Sequence, residues 1–130
     1  MRVLVLALLV TVSSGFALRT PLPITLGTPF TLDAGVYMAR LEAAKLNVEF
    51  LRVKSDSRCP VNVACVWAGD AALEVRVSQG KVTKTVLLHT TLEPKGVSVF
   101  KYRLELRALT PERGVQGETR ATFVLTKAKP

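Results

Sequence analysis

Phe100-Lys101-Tyr102-Arg103-Leu104-Glu105-Leu106-Arg107-Ala108 alternates apolar and charged side chains from one end to the other. A period of two sends successive side chains to opposite faces of an extended chain. The stretch is therefore predicted as a half-buried strand, with Phe100, Tyr102, Leu104, Leu106 and Ala108 inward. Working outward, Leu73, Val75 and Val77 alternate with Glu74, Arg76 and Ser78, and Ala121, Phe123 and Leu125 make a last strand after the turn-rich residues Thr110 to Gly117. Near the start, Ile24, Leu26, Phe30 and Leu32 share one parity, while Gly27 and Pro29 imply an edge or a break.

Three segments are less regular. In Leu46 to Lys54 the apolar parity switches between Phe50 and Leu51, which a β-bulge would accommodate. Val82 to Thr90 has competing phases at Val86, Leu87 and Leu88, as in a strand covered on both sides. Val36 to Lys45 contains strong helix formers. A strand from about Val36 to Leu41 that turns at Glu42 to Lys45 is favoured over a helix, because it supplies an antiparallel neighbour for Leu46 to Lys54. Turn residues recur every eight to twelve positions. The fold class expected is all-β, an antiparallel β-sandwich or partly open barrel of about seven strands.

Met1 and Arg2, the apolar stretch Val3 to Val12 and the small-residue segment Ser13 to Ala17 read as a signal peptide, with cleavage after Ala17. A membrane anchor would need roughly 20 apolar residues, more than this stretch offers. No cysteine lies near the cut to carry a lipid. Residues 18–130 are the size of one domain, able to bury roughly two-thirds of the unfolded surface. No later run reaches membrane length, so no transmembrane segment is expected after cleavage.

The full chain carries a formal charge of +8. Removing Arg2 with the leader leaves 17 basic and 10 acidic residues, a balance of +7. That sign favours an anionic polymer or lipid surface as partner. However, Arg52, Lys54, Arg76, Lys84, Lys101, Arg103, Arg107 and Arg120 fall singly at positions alternating with apolar ones, which favours a solvated outer face. Export makes nucleic acid an unsuitable target.

Cys59 and Cys65 are the only cysteines, and in an oxidising compartment such a pair joins. They lie within Asp56 to Asp70, D-S-R-C-P-V-N-V-A-C-V-W-A-G-D. Asp56 and Ser57 can initiate a turn that Pro60 continues with its fixed φ, and Gly69 lets the chain re-enter a strand at Asp70. Trp67 is large enough to cover the disulfide and plug one end of the sheets, with Val63 and Val66 beneath. Arg58 is placed to pair with Asp56 or Asp70. Asp56, Arg58 and Asp70 are also the candidate binding residues.

The motif resembles a family of uncharacterised exported bacterial proteins, many of them lipoproteins, that carry D-S-R-C-P-x-x-V-x-C-x-W-A-G between two strands. The likeness is close over Asp56 to Gly69 and extends weakly to about Ser78. It implies a β domain and an exported location, with no activity attached. This chain lacks the lipid-anchor cysteine of many relatives.

Catalytic chemistry finds little footing. C-x5-C is not the C-x-x-C of thiol oxidoreductases, and two thiols with the single histidine, His89, make a poor metal site. Asp56 and Asp70 could form a glycosidase pair only at a defined separation in space, about which their spacing in the sequence says nothing. G-x-S-x-G, H-E-x-x-H and phosphate-loop patterns are absent. The expectation is a non-enzymatic, cofactor-free and metal-free module, secreted or periplasmic, that binds an envelope or extracellular protein or an anionic polymer. A hydrolase inhibitor presenting the Cys59 to Cys65 loop is the alternative, and it requires Val61 to Ala64 to be exposed.

Overall fold

The computed structural model describes residues 20–36 and 38–129. The predicted leader and its cleavage point lie outside the described residues. Among the described residues nine strands form in chain order: β1 (Leu22–Pro23), β2 (Phe30–Asp33), β3 (Met38–Leu41), β4 (Leu46–Asp56), β5 (Ala71–Gln79), β6 (Val82–His89), β7 (Gly96–Val99), β8 (Tyr102–Thr110) and β9 (Arg120–Lys127). They make a five-stranded sheet in the order β1-β3-β4-β5-β6 and a four-stranded sheet in the order β2-β9-β8-β7, neither closed on itself. The all-β expectation holds.

The two extra strands have physical causes. The first predicted strand breaks at Gly27, whose φ of 81° suits glycine, and its halves join different sheets. Its first half pairs parallel with β3, the one parallel contact in the ladders described. The second addition, β7, reaches β8 through a two-residue turn, Phe100-Lys101, with both φ angles positive, as type I′ hairpins require. Phe100 is therefore a turn residue packed at the edge of the core, not the first residue of the strand.

Bulges decide which side chains face inward. Leu51 and Lys54 are the extra residues of β4 against β5, as the parity switch at Phe50 predicted for the first of them. Arg107 is the extra residue of β8 against β9. The shift in β8 turns Ala108 outward and buries Leu109 instead, correcting the unbroken alternation read from the sequence. Val36 to Lys45 resolves as the shorter strand β3, a 3₁₀ turn at Glu42–Ala44 and a left-handed Lys45, after which Leu46 pairs with Leu41.

The core lies between the sheets. Leu46, Val48, Phe50, Leu73, Val75, Val77 and Leu88 come from one side, and Leu32, Leu104, Leu106, Phe123 and Leu125 from the other. Phe50 meets Phe123 edge-on, with centroids 6.2 Å apart. Such a contact adds about 1 kcal/mol beyond area burial. Contrary to the two-sided cover expected for Val82 to Thr90, β6 is the edge of its sheet and buries only Leu88. Its competing phases reflect an exposed edge that carries apolar residues on both faces.

The outer faces are laced with ion pairs. Arg52 meets Glu74 at 2.6 Å, Arg76 meets Glu49 at 3.1 Å, Arg107 meets Glu105 at 3.0 Å and Arg120 meets Asp33 at 2.9 Å. The hydrogen bond from Arg52 holds the Glu74 carboxyl below its ordinary range. Among the described residues no helix is long and apolar enough to cross a membrane.

Candidate functional site

The loop between β4 and β5 begins where the ladder ends, at the pair Asp56–Ala71. Ser57 then carries the pairing one step further. Its backbone N–H donates to the Asp70 carbonyl at 2.7 Å, and its hydroxyl bonds the carbonyl and the N–H of Asp70 at 2.9 and 3.0 Å. Cys59 N–H donates to the Ala68 carbonyl at 3.2 Å, beyond which the Cys59–Cys65 disulfide closes the tip with Cα atoms 5.9 Å apart. Inside the ring, Val63 N–H donates to the Pro60 carbonyl at 3.2 Å, so the turn starts at Pro60, while Ser57, expected to initiate it, pairs in the stem.

Gly69 is required here twice over. Its φ is 70°, and a Cβ at this position would collide with the Ser57 carbonyl and lie 2.8 Å from the Arg58 Cα. No side-chain movement relieves a clash with backbone, so the two strands of the stem can pass this closely only at glycine.

Arg58 fixes the loop to the rest of the sandwich. Its Nε and Nη2 grip the Asp56 carboxylate at 2.9 and 2.8 Å, and its own backbone N–H donates to Asp56 Oδ1 at 3.1 Å. Nη1 donates to the Leu109 carbonyl and Nη2 to that of Pro111, both at 3.1 Å. The hydrogen bond from Arg58, with its charge and that of Arg113, holds the Asp56 carboxyl below the usual carboxylate range against the opposing effect of burial. Arg113 returns the tie by donating to the Arg58 carbonyl at 3.1 Å, while its own carbonyl accepts from Val61 N–H at 3.3 Å.

Asp70 anchors the third loop at this end. Its Oδ2 lies 2.7 Å from His89 Nδ1, and its Oδ1 accepts from the N–H groups of Thr91 and Leu92 at 2.9 and 3.1 Å. Burial opposes its ionisation, but the His89 hydrogen bond and these two N–H groups outweigh that and hold its carboxyl below the ordinary range. Asp56 and Asp70 thus each spend their oxygens on separate internal partners. Arg58 pairs with Asp56, one of the two partners expected. A recess of about 410 Å³ beside the stem is lined by Arg58, Cys59, Thr90, Thr91, Leu109 and Arg113, among others.

The tip itself departs from the sequence reading. Trp67 is 81% exposed and Val66 92%, while Val61 and Val63 are 43% and 56% exposed. Trp67 does not lid the disulfide: the loop runs past the last strand pair and leaves the indole in solvent. Val61 to Ala64 are exposed, as a presented loop requires. Leu92, tied to Asp70, and Val115, in the segment that holds Val61, add exposed apolar surface to the same end. The sequence reading missed Arg113, Leu92 and Val115 because each lies far along the chain and is brought in by hydrogen bonds, not by local spacing. The partner of His89 is Asp70, one of the candidate binding residues of the motif.

No protein family, curated protein or solved structure matches this chain.

Proposed function

We propose that this chain is an exported, non-enzymatic β domain of the cell envelope or extracellular space that binds a protein partner through the apolar tip of its disulfide loop. The exposure of Val61, Val63, Val66 and Trp67 on a covalently closed ring carries the reading. Water-exposed valines and a tryptophan gain free energy only when covered, and tryptophan is among the residues that most often dominate protein interfaces. The ring and its stem hold the tip in one geometry, so little conformational entropy remains to be lost on docking. Asp56, Ser57, Arg58, Gly69 and Asp70 are the frame of this surface. The leader at residues 1–17, the disulfide and the resemblance over Asp56 to Gly69 support export.

A hydrolase whose cleft receives the tip is the second reading, favoured by the exposure of Val61 to Ala64. Adhesion through the basic face has weaker support, since Arg52, Arg76, Arg107 and Arg120 are each paired with a carboxylate.

The test is affinity capture from the native envelope, followed by titration of the purified partner against wild-type and variant protein. Trp67→Ala and Val66→Ser are expected to weaken binding by roughly thirtyfold or more, the cost of removing about 2 kcal/mol of anchor. A Cys59→Ser/Cys65→Ser double variant is expected to bind more weakly while keeping the β-sheet spectrum. Affinity unchanged by the Trp67 and Val66 substitutions, or binding that vanishes at high salt, would overturn the proposal. Loss of a hydrolase's activity on adding wild type but not Trp67→Ala would select the inhibitor reading.

A further inference from the structure

We propose that β6 is a pairing edge through which two copies of this chain join antiparallel about a two-fold axis at Thr85, merging their five-stranded sheets into one. The inference is independent of the disulfide loop. It begins with the phase of the ladder. Thr90 N–H donates to the Ala71 carbonyl at 3.0 Å, and the β5–β6 register runs without a shift from Ala72–His89 to Gln79–Val82. Backbone groups alternate sides along an antiparallel strand, so Val82, Lys84, Val86 and Leu88 face β5, and Thr83, Thr85 and Leu87 face away. The next residue in the outward row, His89, already donates to the Pro94 carbonyl at 3.0 Å. Among the described residues the N–H and C=O groups of Thr83, Thr85 and Leu87 have no backbone partner.

The edge lacks most devices that block association. It holds no proline, no glycine and no bulge, and its residues, V-T-K-T-V-L-L-H, are rich in strand formers. Its one fixed charge, Lys84, is on the inward parity, with Nζ 5.1 Å from the Phe100 ring centroid. Val82 is 52% exposed and Leu87 37%.

Charge selects the occupant. Across the outer face the rows run Glu49–Arg76–Thr85 and Arg52–Glu74–Leu87, so each charge is matched by its neighbour and the strip at the edge is neutral. A partner strand must likewise be neutral there, and this strand meets that condition for itself. A two-fold axis at Thr85 sets Thr83 opposite Leu87 of the second copy and Thr85 opposite Thr85, with every outward backbone group facing another. Lys84 falls opposite Val86, so the two lysines lie diagonally across the axis and not face to face, a separation over which salt screens their repulsion. Three such residue pairs exchange about six main-chain hydrogen bonds. The area involved is below that of a standard interface, so the dimer is weak. Because each copy carries a net positive charge, screening strengthens it.

Sedimentation of the mature chain from about 10 µM to about 1 mM is expected to show a monomer–dimer equilibrium with a Kd of roughly 100 µM, tighter in added salt. Thr85→Pro removes an N–H that β5 does not use, so the fold survives while the dimer weakens at least tenfold. Thr85→Lys sets like charges face to face and gives the same loss, and it decides alone if the proline variant fails to fold. A wild-type chain that stays monomeric throughout, including one that captures a foreign extended peptide at this edge, overturns the proposal. So does a dimer that survives both substitutions.

Discussion

Asp70 joins two loops: its backbone bonds Ser57 at the base of the disulfide stem, and its carboxylate bonds His89 Nδ1 at 2.7 Å and the N–H groups of Thr91 and Leu92. Its folded-state carboxyl titrates below the ordinary value of 3.8, as does that of Asp56. A carboxylate lowered in the folded state stabilises the fold above its unfolded value, and that contribution is lost as pH falls through the folded one. Thermal unfolding followed by circular dichroism should therefore show Tm dropping below pH 3.8 on account of these two groups. Asp70→Asn should lower stability at neutral pH by about 1–3 kcal/mol and flatten part of the acid-side fall.

Gly69 and Gly80 both have positive φ, at 70° and 59°, but only at Gly69 would a Cβ meet backbone. Alanine at Gly80 should cost about 1 kcal/mol, the strain of the left-handed region alone. Alanine at Gly69 should cost at least about 2 kcal/mol, because the stem must also separate. Urea unfolding of the two variants measures the difference, and equal losses would contradict the close approach at Ser57.

Arg58 makes a planar two-point contact with Asp56 while reaching two carbonyls on a different part of the chain. Lysine offers one point charge and cannot reproduce this. Arg58→Lys is expected to destabilise by about 2 kcal/mol and to raise amide exchange in the segment from Pro111 to Val115. Retention of wild-type protection there would show that Arg58 does not hold that segment.

Trp67 is the only tryptophan, so its fluorescence reports the loop without interference. The native protein should emit as a solvated indole, with quenching by acrylamide close to that of the unfolded chain. Trp67→Ala should leave stability within about 0.5 kcal/mol of wild type, as at other surface positions. A blue-shifted, protected emission would place the ring under cover and remove the basis for the proposed contact.

β5 and β9 were legible because their core residues, Leu73, Val75 and Val77 in one and Ala121, Phe123 and Leu125 in the other, keep a single parity, even though Ala72 and Val124 are also buried. The reading failed where a bulge reset the phase or where an edge carried apolar residues on both sides. The outward turn of Ala108 follows from one extra residue at Arg107, and the sequence shows no signal there because Leu106 and Leu109 are apolar on either phase. Within the motif, glycine and the turn residues announced the stem. The position of Trp67 depended on how far the stem projects beyond the sheets, a length that alternation does not encode.

The stem of the loop is closed by Ser57, Asp70 and Gly69, and its foot by Arg58 and Asp56, all outside the ring between the cysteines. Folding information and the proposed recognition surface are therefore written in separate parts of one short segment. Residues 61–64 can be exchanged for other sequences without disturbing what holds the sandwich together, so specificity can drift quickly here while the architecture stays still.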